Sequence, residues 1–155
     1  MAIEQTYVML KPDAMQRGLC GEIVSRFERK GFKIVAAKMF RFTTEIAKVH
    51  YAHHVTKPFF PALAEFMSSS PVFAFVLEGK DAVNQVRLMC GPTDCGKASA
   101  GTIRGDLGLS MQENLIHASD SVETAKQEIA RFFKPEEVMS YSRAIESYVH
   151  AKDEM

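Results

Sequence analysis

The chain has 155 residues, a length that fits one domain over 1–155. Apolar residues make up 46% and charged residues 25%, the balance of a folded globule and not of a disordered segment. Lys plus Arg equals Asp plus Glu at 19 each, so the formal net charge is zero. That excludes a broadly basic nucleic-acid or membrane surface but leaves room for a local cationic pocket. The longest clean apolar run, 72–77, is too short to span a bilayer, and no stretch near the N-terminus reads as a signal peptide. Cys20, Cys90 and Cys95 cannot all pair within one chain and make no CxxC spacing, so a reducing compartment such as the cytoplasm is expected.

The branched and aromatic run 6–10 reads as a buried strand that ends at Lys11-Pro12-Asp13, where proline stops pairing and the chain turns. A helix follows from about Gly21, with Leu19, Ile23, Val24 and Phe27 as its apolar stripe and Lys30-Gly31 as its stop. A second strand covers 34–42. Thr43 and Thr44 offer an N-cap for a helix holding Ile46 and Val49, and a further short helix covers 59–67. A third strand covers 72–77, and Asp81 then caps a helix carrying Val83, Val86 and Met89. Residues 91–110 are rich in glycine and small polar side chains without a period, and read as a long loop, of a kind usually functional or disordered. A fourth strand runs through Leu115 and Ile116 to His117. Asp120 and Glu123 then start a helix with Val122, Ala125, Ile129 and Phe132 inward. This order predicts an α+β, ferredoxin-like two-layer sandwich on a four-stranded, mostly antiparallel sheet.

Three motifs look like sites and carry little. Gly91 to Lys97 has the spacing of a phosphate-binding loop, but Ala98 stands where the magnesium-binding hydroxyl belongs, and the motif follows a helix instead of a strand. Gly18-Leu19-Cys20-Gly21 has a nucleic-acid-clamp spacing but reads better as a flexible entry to the first helix. His50, His53 and His54 would share one face of a helix and could ligate a metal, yet Pro58 limits helical continuity and no cysteine is near; a polar helix end is the plainer reading. A scattered set of cations is more telling: Lys11 after the first strand, Arg87 on a helix, Arg104 in the long loop, and His117 ending an apolar strand. Each alone is ordinary, since single Lys and Arg residues usually cover a solvated face.

Together with their neighbours these residues resemble a family. Lys11-Pro12-Asp13-Ala14 is similar to the KPD segment of nucleoside diphosphate kinases, and Gln16-Arg17-Gly18-Leu19, Gly21-Glu22-Ile23-Val24 and Arg26-Phe27-Glu28 follow in register. His50-Tyr51 and Pro58-Phe59-Phe60 resemble that family's nucleotide-site helices, and Gly101-Thr102-Ile103-Arg104-Gly105-Asp106 its loop. Asn114 to Ser121 resembles its active-site signature, and Glu128 falls where it has a glutamate. The resemblance runs over about residues 5 to 150.

It implies transfer of the γ-phosphoryl group of a nucleoside triphosphate to a nucleoside diphosphate, through a phosphohistidine at His117. Splitting the transfer in two implies ping-pong kinetics. Ser119 and Glu128 would orient the imidazole. Lys11, Arg87 and Arg104 would bind phosphates, with hydrogen bonds from Tyr51, Thr93 and Asn114. Mg²⁺ would be held through the nucleotide phosphates, with no metal ligands of the protein's own. Phe59 would stack the base, with Leu63 and Met111 completing an apolar clamp that tolerates any base. The long tail resembles that of homohexameric members. Three departures stand out: His54 where many relatives have an apolar residue, Asp94-Cys95 for a common Asn-Pro, and Ala100 for a common proline. The competing expectation is a ferredoxin-like nucleic-acid-binding or scaffold module without catalysis, stacking bases on Tyr7, Phe73 and Phe75.

Overall fold

The first strand begins before its apolar run. In a computed structural model describing residues 2–155, β1 spans Ile3–Leu10. Its polar first half is held by pairing, since Ile3 to Gln5 lie opposite Lys80 to Glu78. Where the sequence suggested a plain turn, Pro12 opens a short helix, α1 (Pro12–Gln16). A proline at this position has the φ a helix needs and gives up only an amide that the first turn would leave unbonded. Helix α2 (Cys20–Lys30) follows and stops at Gly31, whose φ of 118° lies in the left-handed region open to glycine. Strand β2 is Lys33–Phe40, shorter than expected, because Phe42 leaves the sheet and is buried in the core below it.

Helix α3 (Thr44–His50) starts with the Ile46 amide donating to Thr43 Oγ1 at 3.1 Å. A 3-10 turn, Ala52–His54, and helix α4 (Phe60–Ser68) lead to β3 (Val72–Lys80), which is three residues longer than its apolar run suggested. Before α5 (Ala82–Cys90), Asp81 occupies the cap position at a φ of 51° but caps no backbone amide; it accepts from the Asn84 and Gln85 side chains. The Val83 amide instead donates to Glu4 from β1, at 3.3 Å. The long loop is not featureless. It holds a 3-10 turn at Cys95–Lys97 and helix α6 (Ile103–Leu107), with Thr102 accepting from the Gly105 amide at 2.9 Å. Strand β4 is only Ile116–Ala118. Helix α7 (Val122–Phe132) is capped by Ser121, which accepts from the Thr124 amide, and not by Asp120 or Glu123. The tail crosses the sheet's far end with α8 (Glu146–Val149).

The strand order is β2-β3-β1-β4 with every described pairing antiparallel, the ferredoxin-like arrangement expected from the sequence. Side chains alternate across a strand, so β1 feeds two cores. Val8 and Leu10 pack with Ile23, Phe27, Phe75 and Val86 under α2 and α5. Tyr7 and Met9 pack with Val76, Met67, Phe42 and Phe132 on the opposite face, which α4 and α7 cover. Burial of Tyr7 and Phe75 on these two faces leaves neither ring as a stacking platform for nucleic acid. Strand β4 lies at the edge of the sheet beside β1, with His117 opposite Met9. The same alternation puts Ile116 and Ala118 into the first core and turns His117 to the other face.

Candidate active site

His117 meets Glu128 because α7 packs on β1. Ala125, Glu128 and Phe132 are the buried positions of that helix, spaced to share one face. A carboxylate in a buried helical stripe is costly unless it is bonded. Glu128 is bonded twice: Ser119 Oγ donates to Oε1 at 2.5 Å, and His117 Nε2 lies 2.8 Å from Oε2. Burial alone would raise the Glu128 pKa, but the hydrogen bonds from His117 and Ser119 hold it below the usual carboxylate range. An ionised carboxylate only accepts, so His117 carries its proton on Nε2, and Nδ1 keeps its lone pair.

The backbone before His117 is held by a second carboxylate. Leu115 has a φ of 73°, and the Ile116 amide donates to the Asn114 carbonyl at 2.8 Å across it. This is a γ-turn with a positive φ, a strained geometry for a branched side chain. Asp13 Oδ2 accepts from the Leu115 amide at 3.0 Å, and the Lys11 amide donates to the Leu115 carbonyl at 2.8 Å. The α1 segment thus clamps the entrance to β4, more than a hundred residues away in sequence.

The same clamp carries the cations. Lys11 Nζ donates to Asn114 Oδ1 at 2.8 Å, and the Asn114 amide nitrogen donates to the Thr93 and Met111 carbonyls. Arg104 donates to the carbonyls of Asn114, Gly91 and Ile116. Arg87 donates to the Ala118 carbonyl at 3.3 Å. Burial, with Arg104 beside it, pushes the Lys11 pKa down to about 8. Burial likewise lowers Arg104. These groups are short of anions, which is the electrostatic condition for binding phosphate.

Lys11, Tyr51, Arg87, Thr93, Arg104, Asn114, His117 and Glu128 line one cavity of about 600 Å³, so the structure brings eight of the expected site residues together. Ser119 is fully buried behind it. Phe59, Leu63 and Met111 do not line it. Phe59 and Met111 stand out in solvent, while Leu63 is partly buried against the second core. His54 links the two parts, lining the cavity and meeting the Phe59 ring edge-on at 5.1 Å. The Tyr51 hydroxyl is buried without a partner among the described residues, and burial raises its pKa.

Four residues near this site were given no role in it by the sequence reading. Asp13 supports Leu115 as described. His50, expected on a polar helix end with His53 and His54, is instead buried, its ring 4.9 Å from that of His117. Arg131 Nη1 donates to His50 Nδ1 at 3.1 Å. Burial, with His117 next to it, lowers the His50 pKa to about 3, so His50 is neutral and its 3.7 Å approach to Glu128 is not an ion pair. Tyr7 stacks on Phe132 and packs 6.1 Å from His117. Each of these contacts joins distant segments, and no local pattern marks them.

Cations gathered around a carboxylate-bound histidine, on a ferredoxin-like sheet, describe a phosphotransferase. The nucleoside diphosphate kinase family model matches residues 4–138. A nucleoside diphosphate kinase from Desulforamulus reducens is 50% identical over 148 residues, covering 96% of this chain and 99% of that protein. One from Listeria monocytogenes serotype 4a is 52% identical over 147 residues, covering 95% and 100%. Among solved structures, a halophilic nucleoside diphosphate kinase from Halobacterium salinarum in complex with CDP superposes with a TM-score of 0.93 at 48% identity, covering 96% of this chain and 99% of that one. The chain belongs to the nucleoside diphosphate kinase family and is an enzyme of that class. Among the described residues no helix is long and apolar enough to cross a membrane.

Proposed function

We propose that this enzyme moves a γ-phosphoryl group from a nucleoside triphosphate to a nucleoside diphosphate in two steps through His117 Nδ1. The observation that carries this is the 2.8 Å bond between Nε2 and Glu128, which leaves Nδ1 as the unprotonated ring nitrogen. In the first step the Nδ1 lone pair bonds to the γ-phosphorus and the bond to the β,γ-bridging oxygen breaks. The diphosphate leaves, and the ring, now cationic, is neutralised by Glu128. In the second step a terminal oxygen of the incoming diphosphate attacks phosphorus, and the N–P bond breaks, returning its electron pair to Nδ1.

Transfer of this kind depends on placing and neutralising charge. Lys11, Arg87 and Arg104 supply it, and Tyr51, Thr93 and Asn114 supply hydrogen bonds. Mg²⁺ prefers oxygen ligands and the phosphate-facing groups Lys11, Arg87, Arg104 and His117 offer nitrogen, so the donor set fits a nucleotide that brings its own cation. Mg²⁺ on the phosphates would add charge neutralisation when bound. Phe59 is the stacking platform for the base, with Leu63 and Met111 beside it and His54 at its edge. A relative solved in complex with CDP supports nucleotide binding by this family. The reading extends to a cytoplasmic homohexamer, on the likeness of the tail to that of hexameric members and on the place of the long loop, where such members make subunit contacts. Incubation with γ-labelled ATP and then unlabelled CDP tests the mechanism: acid-labile label on the protein that the chase moves to CTP is expected, and label passing to CDP without a phosphoenzyme overturns it.

A further inference from the structure

The described residues hold one cluster of metal-ligating side chains, and it lies inside the catalytic site. One donor atom each from His50, His117 and Glu128 fall within 4.8 Å of one another. Glu128 Oε2 is the hub, 2.8 Å from His117 Nε2 and 3.7 Å from His50 Nδ1. Two imidazoles and one carboxylate, with an open side for water, form a donor set that suits Zn²⁺ and its neighbours. Mg²⁺ prefers an octahedron of oxygens and is poorly served here.

We propose that His50, His117 and Glu128 form an inhibitory site for borderline divalent transition metals such as Zn²⁺, separate from any cation carried by the nucleotide. Three features of the surroundings fit the role. Ser119 holds Glu128 Oε1, so Oε2 is presented as a single ligand atom with its orientation fixed by an outer hydrogen bond. Tetrahedral donors around zinc sit roughly 3.3 Å apart, so the His117–Glu128 pair opens by about half an ångström, the His50–Glu128 pair closes by a similar amount, and the two imidazole nitrogens, within 4.8 Å of one another, close by up to about 1.5 Å. The cavity beside His117 supplies water for the fourth position.

The consequence follows from the tautomer, and it rests on His117 Nδ1 being the nucleophile. A metal on Nε2 displaces the proton carried there, and in the neutral ring that proton moves through solvent to Nδ1. The lone pair that would attack phosphorus is then gone. A built-in obstacle to this state is Arg131, whose guanidinium occupies the His50 Nδ1 lone pair and adds positive charge next to the metal. Arg131 lies on the exposed side of α7, so it can swing into solvent when metal enters.

The test uses the metal-free full-length protein and Co²⁺, whose visible d–d bands report four-coordinate geometry without any assay of catalysis. One Co²⁺ per chain is expected, displaced by Zn²⁺ and not by a large excess of Mg²⁺. After gel filtration removes unbound metal, labelling by γ-labelled Mg·ATP should fall in proportion to occupancy and return on chelation. His50→Ala removes a ligand and should weaken Co²⁺ binding by more than the roughly 10–100-fold that loss of an outer-shell partner costs. Arg131→Ala should act in the opposite direction, tightening it, and does not depend on the buried His50 variant folding. Absence of the four-coordinate bands, equal competition by Mg²⁺, or weaker Co²⁺ binding by Arg131→Ala would overturn the site. Bound Co²⁺ with undiminished labelling would overturn the inhibition. Metal-free protein that never labels would instead count against the phosphohistidine reading, and the spectra would still decide the site.

Discussion

At one end of the cavity Lys11, Asn114 and Arg104 are tied to each other and to backbone carbonyls, beneath a strained turn that Asp13 holds in place. Beyond the other end, outside the cavity, Phe59 stands 47% exposed, its ring met edge-on by His54, which lines the cavity. The first end is fixed before any ligand arrives, as transfer chemistry requires, because misplacing charge costs rate directly. The second end offers a flat ring and few polar groups, as tolerance of different bases requires. Substitutions at the first end should therefore damage the chemical step, and those at the second should weaken binding about equally for every base.

His117→Ala tests the first end most severely. Loss of the attacking nitrogen should lower kcat by about 10⁴-fold or more and remove the phosphoenzyme. Rapid-quench labelling reads both, and a variant that still labels would remove His117 from the mechanism.

How much of this contrast is legible in the sequence depends on where each partner lies. His117, Ser119 and Asn114 sit within one short segment whose resemblance to a family marks them as a group. Glu128 is marked only by its register in that resemblance; its helical pattern alone reads as a solvent-facing charge, and the structure buries it. His50 was legible as a histidine near two others, but helix α3 turns it inward while His53 and His54 leave on a 3-10 turn. Asp13 and Arg131 act across long sequence separations, on Leu115 and His50, and pairwise contacts of that kind leave no local period. The fold itself was more accessible. Burial of β1 on both faces gives an uninterrupted apolar run, whereas the polar start of β1 and the end of β3 are strands only because they pair with each other.

Lys11 sharpens the comparison through pH. Its pKa of about 8 in the free enzyme, against 10.5 ordinarily, means that its charge is lost as pH rises through 8. Since kcat/KM reports the free enzyme, it should fall on the alkaline side of about pH 8. The kcat profile should stay flatter, because a bound phosphate restores the charge. Lys11→Arg should move that limb out of range, and Lys11→Ala should cost about 10²–10³-fold in kcat. Folding stability goes the other way. The unfolded chain holds more protons than the fold between pH 8 and 10.5, so this residue adds stability as pH rises through that window. An unchanged alkaline limb in Lys11→Arg would assign it to another group.

At the base end, Phe59→Ala should raise KM with little change in kcat. Base stacking is worth about 1–3 kcal/mol, so roughly 5- to 150-fold is expected, similar for adenine, guanine, cytosine and uracil. Discrimination among the bases by the wild-type enzyme should stay below about a thousandfold in kcat/KM. A larger ratio that His54→Leu abolishes would mean that the His54 ring reads the base, and the contrast between the two ends would narrow.

The smallest effect lies in the long loop, where Cys95 and Ala100 stand at positions for which the family resemblance leads one to expect prolines. A missing proline leaves the unfolded chain with more freedom to lose, costing about 0.4–1 kcal/mol where the native backbone would accept the ring. The two positions are not equivalent. The Cys95 amide donates to the Ser110 carbonyl at 3.4 Å, and its side chain is buried against Gly108. Proline there loses a bond and a packed sulfur, which offsets the entropic gain. Ala100 is exposed, and its amide donates to no acceptor among the described residues. Ala100→Pro should therefore stabilise the protein by about 0.4–1 kcal/mol, and Cys95→Pro should be neutral or destabilising. Urea titrations read the folded chain, and light scattering across a dilution series reads the assembly. If this loop joins subunits, as the hexamer proposal requires, Ala100→Pro should also shift dissociation to higher urea. Equal gains from both variants would mean that the Cys95 contacts contribute nothing, and a tetramer at every concentration would remove the hexamer itself.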